Sequence, residues 1–232
     1  MKILIISDIH GNLNALEAVC KEEADLVFCL GDIVNYGPYP RECIKKVQDL
    51  TDTIVRGNHD HAVGRNMDCG CSVKYRELSN AGKVFTRDIL NTSEKNFLGN
   101  LPITLHREAE GKSFLLVHGS SSGDIYKYLK PDISDEELED KIKGIHADVI
   151  FIGHTHLPMI RRIKDIVIVN PGSVGQPRDS VPEASYAIWE DGHIEIKRVQ
   201  YNIEATIRGL QATHMPYQQI EILAGILRKG GM

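Results

Sequence analysis

The amino-acid sequence predicts a layered α/β fold, and two patterns carry that prediction. In the N-terminal part, three short apolar runs each end in polar residues, and helical patterns alternate with them. An alternation of strands and helices is typical of α/β proteins. Nearer the C-terminus, consecutive short strands with short connections indicate an antiparallel sheet rather than further crossover units.

Length and composition fit one globular domain, which we expect to span residues 1-232. The chain of 25.9 kDa is 42% hydrophobic and 25% charged, as ordinary globular proteins are. Its net charge is −5 and its pI is about 6.1, so it lacks the basic field that holds long nucleic acid. A DNA-repair nuclease is therefore a weak hypothesis, and long nucleic acid is not an expected partner.

The pattern of apolar runs and cysteines bears on the cellular compartment. The first apolar run, Ile3 to Ile6, is too short for a signal peptide or a membrane span, and no later run is long enough. Five cysteines without a secretory signal predict free thiols in a reducing compartment. We therefore expect a cytoplasmic protein without a membrane partner.

The N-terminal elements follow from the apolar runs in order. Near-continuous runs, the pattern of buried strands, are found at Lys2–Ile6, Leu26–Leu30 and Thr53–Val55. Apolar stripes at helical spacing predict the intervening helices, through Leu13, Leu16 and Cys20 and through Cys43, Val47 and Leu50. The third strand leads into Gly57-Asn58-His59-Asp60, which we expect on a loop after a tight turn.

Residues 61-110 break the alternation and predict a helical excursion. Leu78, Ala81 and Phe85 share one helical face, and Glu94 to Leu98 forms a second short helix. Two interpretations are equally supported: a segment that covers the site mouth and helps to choose the substrate, or a structural connection. The sequence Cys69-Gly70-Cys71 lies here, and without partner ligands it indicates two unpaired cysteines rather than a metal site.

The second half contains the remaining elements. Buried strands are predicted at Phe114–Val117 and Val149–Ile152, and a capping-box pattern at Ser134 begins the helix between them. Four strands follow, with a hairpin turn at Asp191-Gly192: Met159–Ile163, Ile166–Val169, Tyr186–Trp189 and Ile194–Val199. Two helices end the chain, with stripes of Ile203, Ile207 and Leu210 and of Ile220, Leu223 and Leu227. The last helix packs on its own domain or on a second copy, which leaves a homo-oligomer open.

Polar side chains of related chemistry follow five predicted strands. In chain order they are Asp8, His10, Asp32, Asn58, His59, His118, His154 and His156. Any one of these histidines alone would be an ordinary surface or hydrogen-bonded residue. Because strands of one sheet bring their carboxyl ends together, the whole set is expected to form one site.

The donor set predicts a pair of metal ions. Two carboxylates, four imidazoles and a carboxamide suit manganese, iron, zinc, cobalt or nickel alike, and we expect manganese first. The lack of a cysteine ligand argues against a structural zinc site. These are too many ligands for one ion, whereas two ions about 3.5–4 Å apart, bridged by one carboxylate, would use them all. The positive charge of two divalent ions exceeds the negative charge of Asp8 and Asp32, so the pocket is cationic and suited to phosphate. Such a pair lowers the pKa of water to roughly 7, which would supply a bridging hydroxide nucleophile and leave His59 as the proton donor.

These blocks, in this order, resemble the calcineurin-like metallophosphoesterase superfamily. The blocks are Asp8-x-His10, Gly31-Asp32, Gly57-Asn58-His59-Asp60, His118 and Gly153-His154-x-His156. The small bacterial and archaeal phosphodiesterase branch is the most similar, also in Asn170-Pro171-Gly172-Ser173. The resemblance implies a four-layer α/β/β/α sandwich with two mixed β-sheets. It also implies one metal on Asp8, His10 and His156, the other on Asn58, His118 and His154, with Asp32 as the bridge and His59 as the general acid.

One block departs from the pattern of the protein Ser/Thr phosphatases of this superfamily. Their second block is G-D-x-x-D-R-G, whereas this chain has Asn35 and Tyr36 in place of its second Asp and its Arg. Asn35 can still form a hydrogen bond with His59. Tyr36, in contrast, cannot bind a phosphate through two parallel hydrogen bonds as Arg does. Asn35 is a candidate catalytic residue together with His59, and Tyr36 and Arg178 are candidate substrate contacts, with Arg178 reaching the phosphate from another direction. Asp60 is interpreted as a structural turn residue.

The leading hypothesis is therefore a metal-dependent phosphodiesterase for a small or nucleotide-like phosphate ester. Hydrolysis of dinucleoside polyphosphates or of phosphomonoesters is the alternative within the same chemistry. A non-catalytic scaffold of this fold, as in the retromer complex, is the alternative from another class. A scaffold would be expected to have lost ligands, and here every ligand position and His59 remain.

Overall fold

A computed structural model describes all residues of the chain, 1–232, as two β-sheets with eight α-helices. The strands are β1 (Lys2–Ile6), β2 (Leu26–Cys29), β3 (Thr104–Ala109), β4 (Lys112–Val117), β5 (Val149–Phe151), β6 (Met159–Ile163), β7 (Ile166–Asn170), β8 (Ala184–Glu190) and β9 (His193–Val199). The helices are α1 (Leu13–Val19), α2 (Pro40–Leu50), α3 (Asn58–Arg65), α4 (Arg76–Ile89), α5 (Thr92–Asn100), α6 (Asp135–Ile142), α7 (Ile203–Gln211) and α8 (Tyr217–Lys229).

Both sheets are mixed. The four-stranded sheet has the order β2-β1-β8-β9, in which β1 is parallel to β2 and antiparallel to β8. The five-stranded sheet has the order β3-β4-β5-β7-β6, in which β4, β5 and β7 are parallel and the two edge strands are antiparallel to their neighbours. The predicted pair of mixed sheets is confirmed.

Apolar side chains pack the two sheets face to face with helices outside. Between the sheets lies an aromatic core of Phe28, Phe114, Phe151 and Trp189. Helices α1 and α2 cover the outer face of the four-stranded sheet, and α6 covers that of the five-stranded sheet. Burial of apolar surface at roughly 25 cal/mol per Å² drives the stacking of these layers. The arrangement is the expected four-layer α/β/β/α sandwich.

The prediction that the last four strands form one antiparallel sheet is wrong. They form two antiparallel hairpins, β6–β7 in the five-stranded sheet and β8–β9 in the four-stranded sheet. The chain crosses between the sheets after β7, because β7 pairs with β5 whereas β8 pairs with β1. Apolar patterning specifies a strand, but it does not specify which neighbour the strand pairs with.

The segment around Gly57 also differs from expectation. Only Ile54 of the predicted strand Thr53–Val55 pairs, in an isolated parallel bridge to Cys29. Asn58, His59 and Asp60 form the first turn of helix α3 rather than a loop, with Gly57 as the N-cap residue. The helix is favoured because Asp60 accepts a hydrogen bond from the Gly57 N–H, which an N-terminal turn leaves free.

The excursion contains the predicted helices α4 and α5, together with most of α3, and its last residues form β3, which was not predicted. All five cysteines are free thiols, as expected. The apolar face of α8, which includes Leu223 and Leu227, packs in one cluster with residues of α4 and α7, so this helix covers its own domain. No helix has both the length and the apolar character needed to cross a membrane.

Candidate metal centre

The carboxyl ends of strands from both sheets meet at one edge of the sandwich. Asp8 and His10 follow β1, Asp32 follows β2, and the bridge at Ile54 leads into Asn58. From the other sheet, His118 follows β4, and His154 and His156 follow β5. All seven predicted ligands are buried, each at most 3% exposed. The sequence-predicted set is therefore brought together in space.

Three of these residues form a first candidate metal-binding group. Asp8 Oδ1 lies 3.3 Å from His156 Nε2 and 3.8 Å from His10 Nε2. The two Nε2 atoms lie 3.1 Å apart. All three donor atoms thus point at a common centre.

The second candidate group comprises Asp32, His118 and His154, whose donor atoms lie within 4.8 Å of one another. Asn58 joins it, because its Oδ1 lies 3.1 Å from His118 Nε2. Asp32 Oδ2 lies 3.2 Å from His118 Nε2 and 3.9 Å from His10 Nε2. This carboxylate oxygen therefore stands between the two groups.

Unpartnered buried atoms show that the residues fit cations. With the imidazoles neutral, as metal binding requires, Asp8 Oδ1, Asp32 Oδ2 and His154 Nε2 are buried without a hydrogen bond. The other oxygens of the two carboxylates are bonded: Asp8 Oδ2 accepts from Ser7 Oγ at 2.6 Å, and Asp32 Oδ1 accepts from the His59 N–H at 2.8 Å. A buried carboxylate oxygen without a partner costs several kcal/mol, about what a bound cation would offset.

Backbone carbonyls orient three of the imidazoles. Nδ1 of His10 lies 3.1 Å from the carbonyl oxygen of Val34. Nδ1 of His118 lies 2.7 Å from the carbonyl oxygen of Leu30, and Nδ1 of His156 lies 2.6 Å from that of Gln176. A carbonyl only accepts, so each Nδ1 carries the proton and donates it. Nε2 is then the atom left to face a cation, as is usual for histidine ligands.

The ligand loops hold a strained backbone. Five of the seven candidate ligands, Asp8, His10, Asp32, His154 and His156, have φ between 50° and 67°. Such residues cost about 1–3 kcal/mol each and persist where the surrounding structure fixes them. The concentration of this strain at one sheet edge is typical of a functional site.

Asp60 holds the second and third blocks together. Its carboxylate accepts hydrogen bonds from the N–H groups of Asp32, Ile33 and Gly57 at 2.7, 2.9 and 3.1 Å. A β-carbon at Gly57 would lie 2.0 Å from Asp32 Oδ1, so only glycine allows the helix start to come this close. The interpretation of Asp60 as a structural turn residue agrees with these contacts.

Burial and charge set the protonation states of the site. Burial lowers the pKa values of His10, His154 and His156 well below the ordinary value, so these imidazoles are neutral near pH 7. Burial also opposes protonation of His118, but the charge of Asp32 raises the pKa of His118 to about 9. A cation at the second group would replace that proton, since metal binding requires a neutral imidazole.

His59 lies beside the candidate ligands without belonging to either group. Its Nε2 is 4.0 Å from Asp32 Oδ2, and burial lowers its pKa to about 4. Its Nδ1 is 2.6 Å from Nδ2 of Asn35, whose Oδ1 accepts the Tyr36 N–H at 2.7 Å. The Asn35 amide therefore donates to Nδ1, and the imidazole proton sits on Nε2, the atom nearer the carboxylates.

The two candidate substrate contacts have different environments. Tyr36 is 2% exposed, and its ring packs edge-on against His10 and His59. Arg178 is half-buried, with its guanidinium 4.0 Å from the Tyr75 ring centre and its Nη2 donating to Gln176 at 2.7 Å. Its Nε is buried without a partner. Burial, and after it the charge of Arg178, lowers the pKa values of His59 and His156. Gln176 joins Arg178 to the site, because its side chain accepts from Arg178 and its backbone carbonyl accepts from His156 Nδ1.

Several supporting residues were not found from the sequence. Ser173 Oγ donates to the Asp8 carbonyl at 2.7 Å, and Asn170 Nδ2 donates to the Gly153 carbonyl at 2.7 Å. The block Asn170-Pro171-Gly172-Ser173 was a signal for both residues. The ring of Tyr128 lies 3.9 Å from that of His154, and a lone tyrosine in a polar loop gives no such signal.

Comparison with known proteins agrees with this geometry. The family model described as the calcineurin-like phosphoesterase superfamily domain matches residues 1–191. An uncharacterized protein of Methanocaldococcus jannaschii is 33% identical, with 92% of this chain and 93% of that protein covered. Phosphodiesterase YfcE of Escherichia coli is 25% identical, with 84% and 91% covered.

A solved structure extends the likeness over nearly the whole chain. The crystal structure of a metallophosphoesterase from Sphaerobacter thermophilus superposes with a TM-score of 0.82 at 32% identity. It covers 97% of this chain and 98% of that one. With the family model over residues 1–191, this likeness shows that the chain belongs to the calcineurin-like phosphoesterase superfamily.

Proposed function

We propose that the chain is a dinuclear metal-dependent phosphoesterase that hydrolyses a small or nucleotide-like phosphodiester. The observation that carries the proposal is the pair of buried, unpartnered oxygens, Asp8 Oδ1 and Asp32 Oδ2, among four imidazoles. Two groups of three donors, with Asp32 Oδ2 between them, match the needs of two adjacent cations. Carboxylate, carboxamide and imidazole donors suit manganese, which we propose as the metal.

The residues would divide the chemistry as follows. Asp8, His10 and His156 would hold one ion, Asn58, His118 and His154 the other, and Asp32 would bridge them. When bound, two such ions neutralise charge on a phosphate and lower the pKa of water, which supplies the nucleophile. Neutral imidazoles leave the positive charge of the ions largely uncompensated, so an anionic phosphate is the favoured ligand.

His59 would act on the leaving group. Because Asn35 donates to Nδ1, Nε2–H is the donor that faces the carboxylates and, next to them, a bound phosphate. We propose that Nε2–H donates a hydrogen bond to the oxygen that leaves phosphorus and transfers its proton to this oxygen as the P–O bond breaks. The imidazolate that remains would take back a proton from water, which restores neutral His59 and yields a hydroxide. A leaving group that is already a weak base needs this help least.

The diester preference rests on the second block of the motif. Asn35 donates to His59 where an aspartate would accept, so it does not stabilise an imidazolium. Tyr36 is buried against two imidazoles. Its phenol carries no positive charge, so it cannot pair with the second negative charge that a phosphomonoester has and a diester lacks. The similarity to a protein named as a phosphodiesterase supports the same choice.

Replacement of His59 by alanine is expected to separate substrates by their leaving groups. Hydrolysis of a diester with an alkoxide or ribose leaving group should fall by about 10²-fold, because the proton donor is lost. Hydrolysis of a 4-nitrophenyl diester should fall much less. Steady-state kinetics on both substrates, with His146→Ala as the exposed-histidine control, measures the difference. Equal losses on the two substrates would show that His59 is not the proton donor.

Replacement of Arg178 by alanine is expected to raise KM about tenfold with a smaller change in kcat. The guanidinium is held by Tyr75 and Gln176 and would bind a phosphate oxygen through a charge-assisted hydrogen bond, about 1.5–3 kcal/mol in strength. The exposed Arg162→Ala variant controls for the loss of one positive charge. An unchanged KM would remove Arg178 from the substrate site.

A substrate panel tests the proposed function as a whole. Manganese-loaded protein should hydrolyse bis(4-nitrophenyl) phosphate faster than 4-nitrophenyl phosphate, and nucleotide diesters should also be cleaved. Faster cleavage of monoesters or of dinucleoside polyphosphates would favour those alternatives within the same chemistry. If no phosphate ester in the panel is hydrolysed, the enzyme hypothesis fails and the scaffold hypothesis replaces it.

A further inference from the structure

Helix α4 of the excursion contacts the turn that holds His59. Gly82 lies so close to this turn that a β-carbon there would stand 2.0 Å from Asn35 Oδ1 and 2.7 Å from the Tyr36 nitrogen. Real β-carbons essentially never approach other atoms below 3.0 Å. Any residue other than glycine would therefore displace Asn35 or the whole helix.

Ser79 lies on the same face of α4, three residues before Gly82, since residues at this spacing are neighbours on a helix. Its carbonyl oxygen and its Oγ both lie 3.3 Å from Asn35 Nδ2. One N–H of this amide donates to His59 Nδ1, so the two Ser79 oxygens share the other N–H in a bifurcated hydrogen bond. The same Oγ lies 3.4 Å from His59 Nδ1. Ser79 is 1% exposed, so water does not replace these contacts.

The turn that receives these contacts is strained. Asn35 and Tyr36 have φ values of 78° and 60°, a region that non-glycine residues rarely adopt. Such a backbone keeps its conformation only where packing fixes it. The close approach of Gly82 and the two acceptors of Ser79 supply packing and hydrogen bonds directly at this turn.

We propose that Gly82 and Ser79 are positioning residues, which hold the Asn35 amide on His59 Nδ1 and so keep the imidazole proton on Nε2, facing the site. Gly82 acts on His59 through Asn35, whereas Ser79 acts both through Asn35 and through its own 3.4 Å contact with His59 Nδ1. The consequence for catalysis is that Nε2 can protonate a poor leaving group, and this consequence rests on the proposed function. The excursion is then part of the site rather than only a connection between strands.

Replacement of Gly82 by alanine tests the inference, with Gly225→Ala as the matched control. Gly225 lies in helix α8, where a β-carbon would meet no atom within 4 Å. The first readout is the tautomer of His59 in metal-free protein, from ¹⁵N–¹H spectra assigned with His59→Ala. Wild type and Gly225→Ala should show a proton on Nε2 and a hydrogen-bonded Nδ1. Gly82→Ala should show a mixture of tautomers.

The second readout is hydrolysis by manganese-loaded protein. Gly82→Ala should lower cleavage of a diester with a poor leaving group by about 10–100-fold, and leave cleavage of bis(4-nitrophenyl) phosphate within a few-fold. In a His59→Ala background the same substitution should have no further effect, because it acts through His59. Equal losses on both substrates, or additive losses in the double variant, would contradict the positioning role.

Ser79→Ala keeps the inference testable if Gly82→Ala does not fold. It removes one of the two acceptors and leaves the helix packing intact, so it should shift the tautomer in the same direction but less. An unchanged His59 tautomer in the folded variants would overturn the inference. If wild type hydrolyses no phosphodiester, the proposed function fails separately, while the tautomer measurement still decides whether α4 positions His59.

Discussion

Replacement of Asp32 by alanine is expected to lower phosphodiester hydrolysis by about 10³-fold or more and to reduce bound metal from two ions per chain to one or none. Asp32 Oδ2 lies 3.2 Å from His118 Nε2 and 3.9 Å from His10 Nε2, one nitrogen from each group. No other carboxylate oxygen has this position between the two groups. Loss of the bridge would leave two cations without the shared negative charge that offsets their repulsion.

The matched control for this change is Asp165→Ala, which removes an exposed carboxylate from the turn between β6 and β7. Elemental analysis after dialysis and kinetics on bis(4-nitrophenyl) phosphate measure the two effects. The bridging role would be refuted if Asp32→Ala retained two ions per chain. Retention of near wild-type activity would refute it equally.

Replacement of Asp60 by alanine is expected to lower the free energy of unfolding by about 3–5 kcal/mol in metal-free protein. Its carboxylate accepts from the N–H groups of Asp32, Ile33 and Gly57, all in the buried site. Each buried donor left without an acceptor costs about 1–3 kcal/mol. The unpaired N–H groups would lie in the loop after β2 and at the start of α3. These segments carry the candidate ligands Asp32 and Asn58, so metal affinity should decrease together with stability.

Urea unfolding of the metal-free variant, beside Asp60→Asn and Asp165→Ala, measures this effect. Asn keeps one acceptor oxygen but places an NH₂ group against backbone donors, so it should be intermediate or nearly as destabilising as alanine. Asp165→Ala should unfold like wild type. A change below about 1 kcal/mol in Asp60→Ala would show that water or a neighbouring group satisfies these N–H groups, contrary to the proposed role.

The candidate ligands could be predicted from the sequence because each follows an apolar run within a few residues. Asp8, His118 and His154 all lie directly beyond a buried strand. Parallel strands bring these residues to one edge within each sheet. The expectation that all five strands belong to one sheet is wrong, because the ligands come from both sheets, whose carboxyl edges coincide in the sandwich. The side chains are polar in an otherwise apolar context, which makes the pattern visible without a structure.

The supporting contacts could not be predicted in the same way. The groups that fix the imidazoles are carbonyls of Leu30, Val34 and Gln176, and every residue has a carbonyl. The close approach of Gly82 to Asn35 joins segments far apart in the chain, and one glycine in a helical pattern does not name its neighbour. The division of β6–β9 between two sheets could not be predicted for the same reason, since pairing partners are set by tertiary packing.

Titration of metal-stripped wild-type protein with manganese, with bis(4-nitrophenyl) phosphate as substrate, tests the central claim most directly. We expect hydrolysis to require the metal and to reach its maximum at two ions per chain, with the diester cleaved faster than 4-nitrophenyl phosphate. Maximal activity at one ion per chain would contradict the dinuclear site, and no hydrolysis at saturating metal would contradict the enzyme.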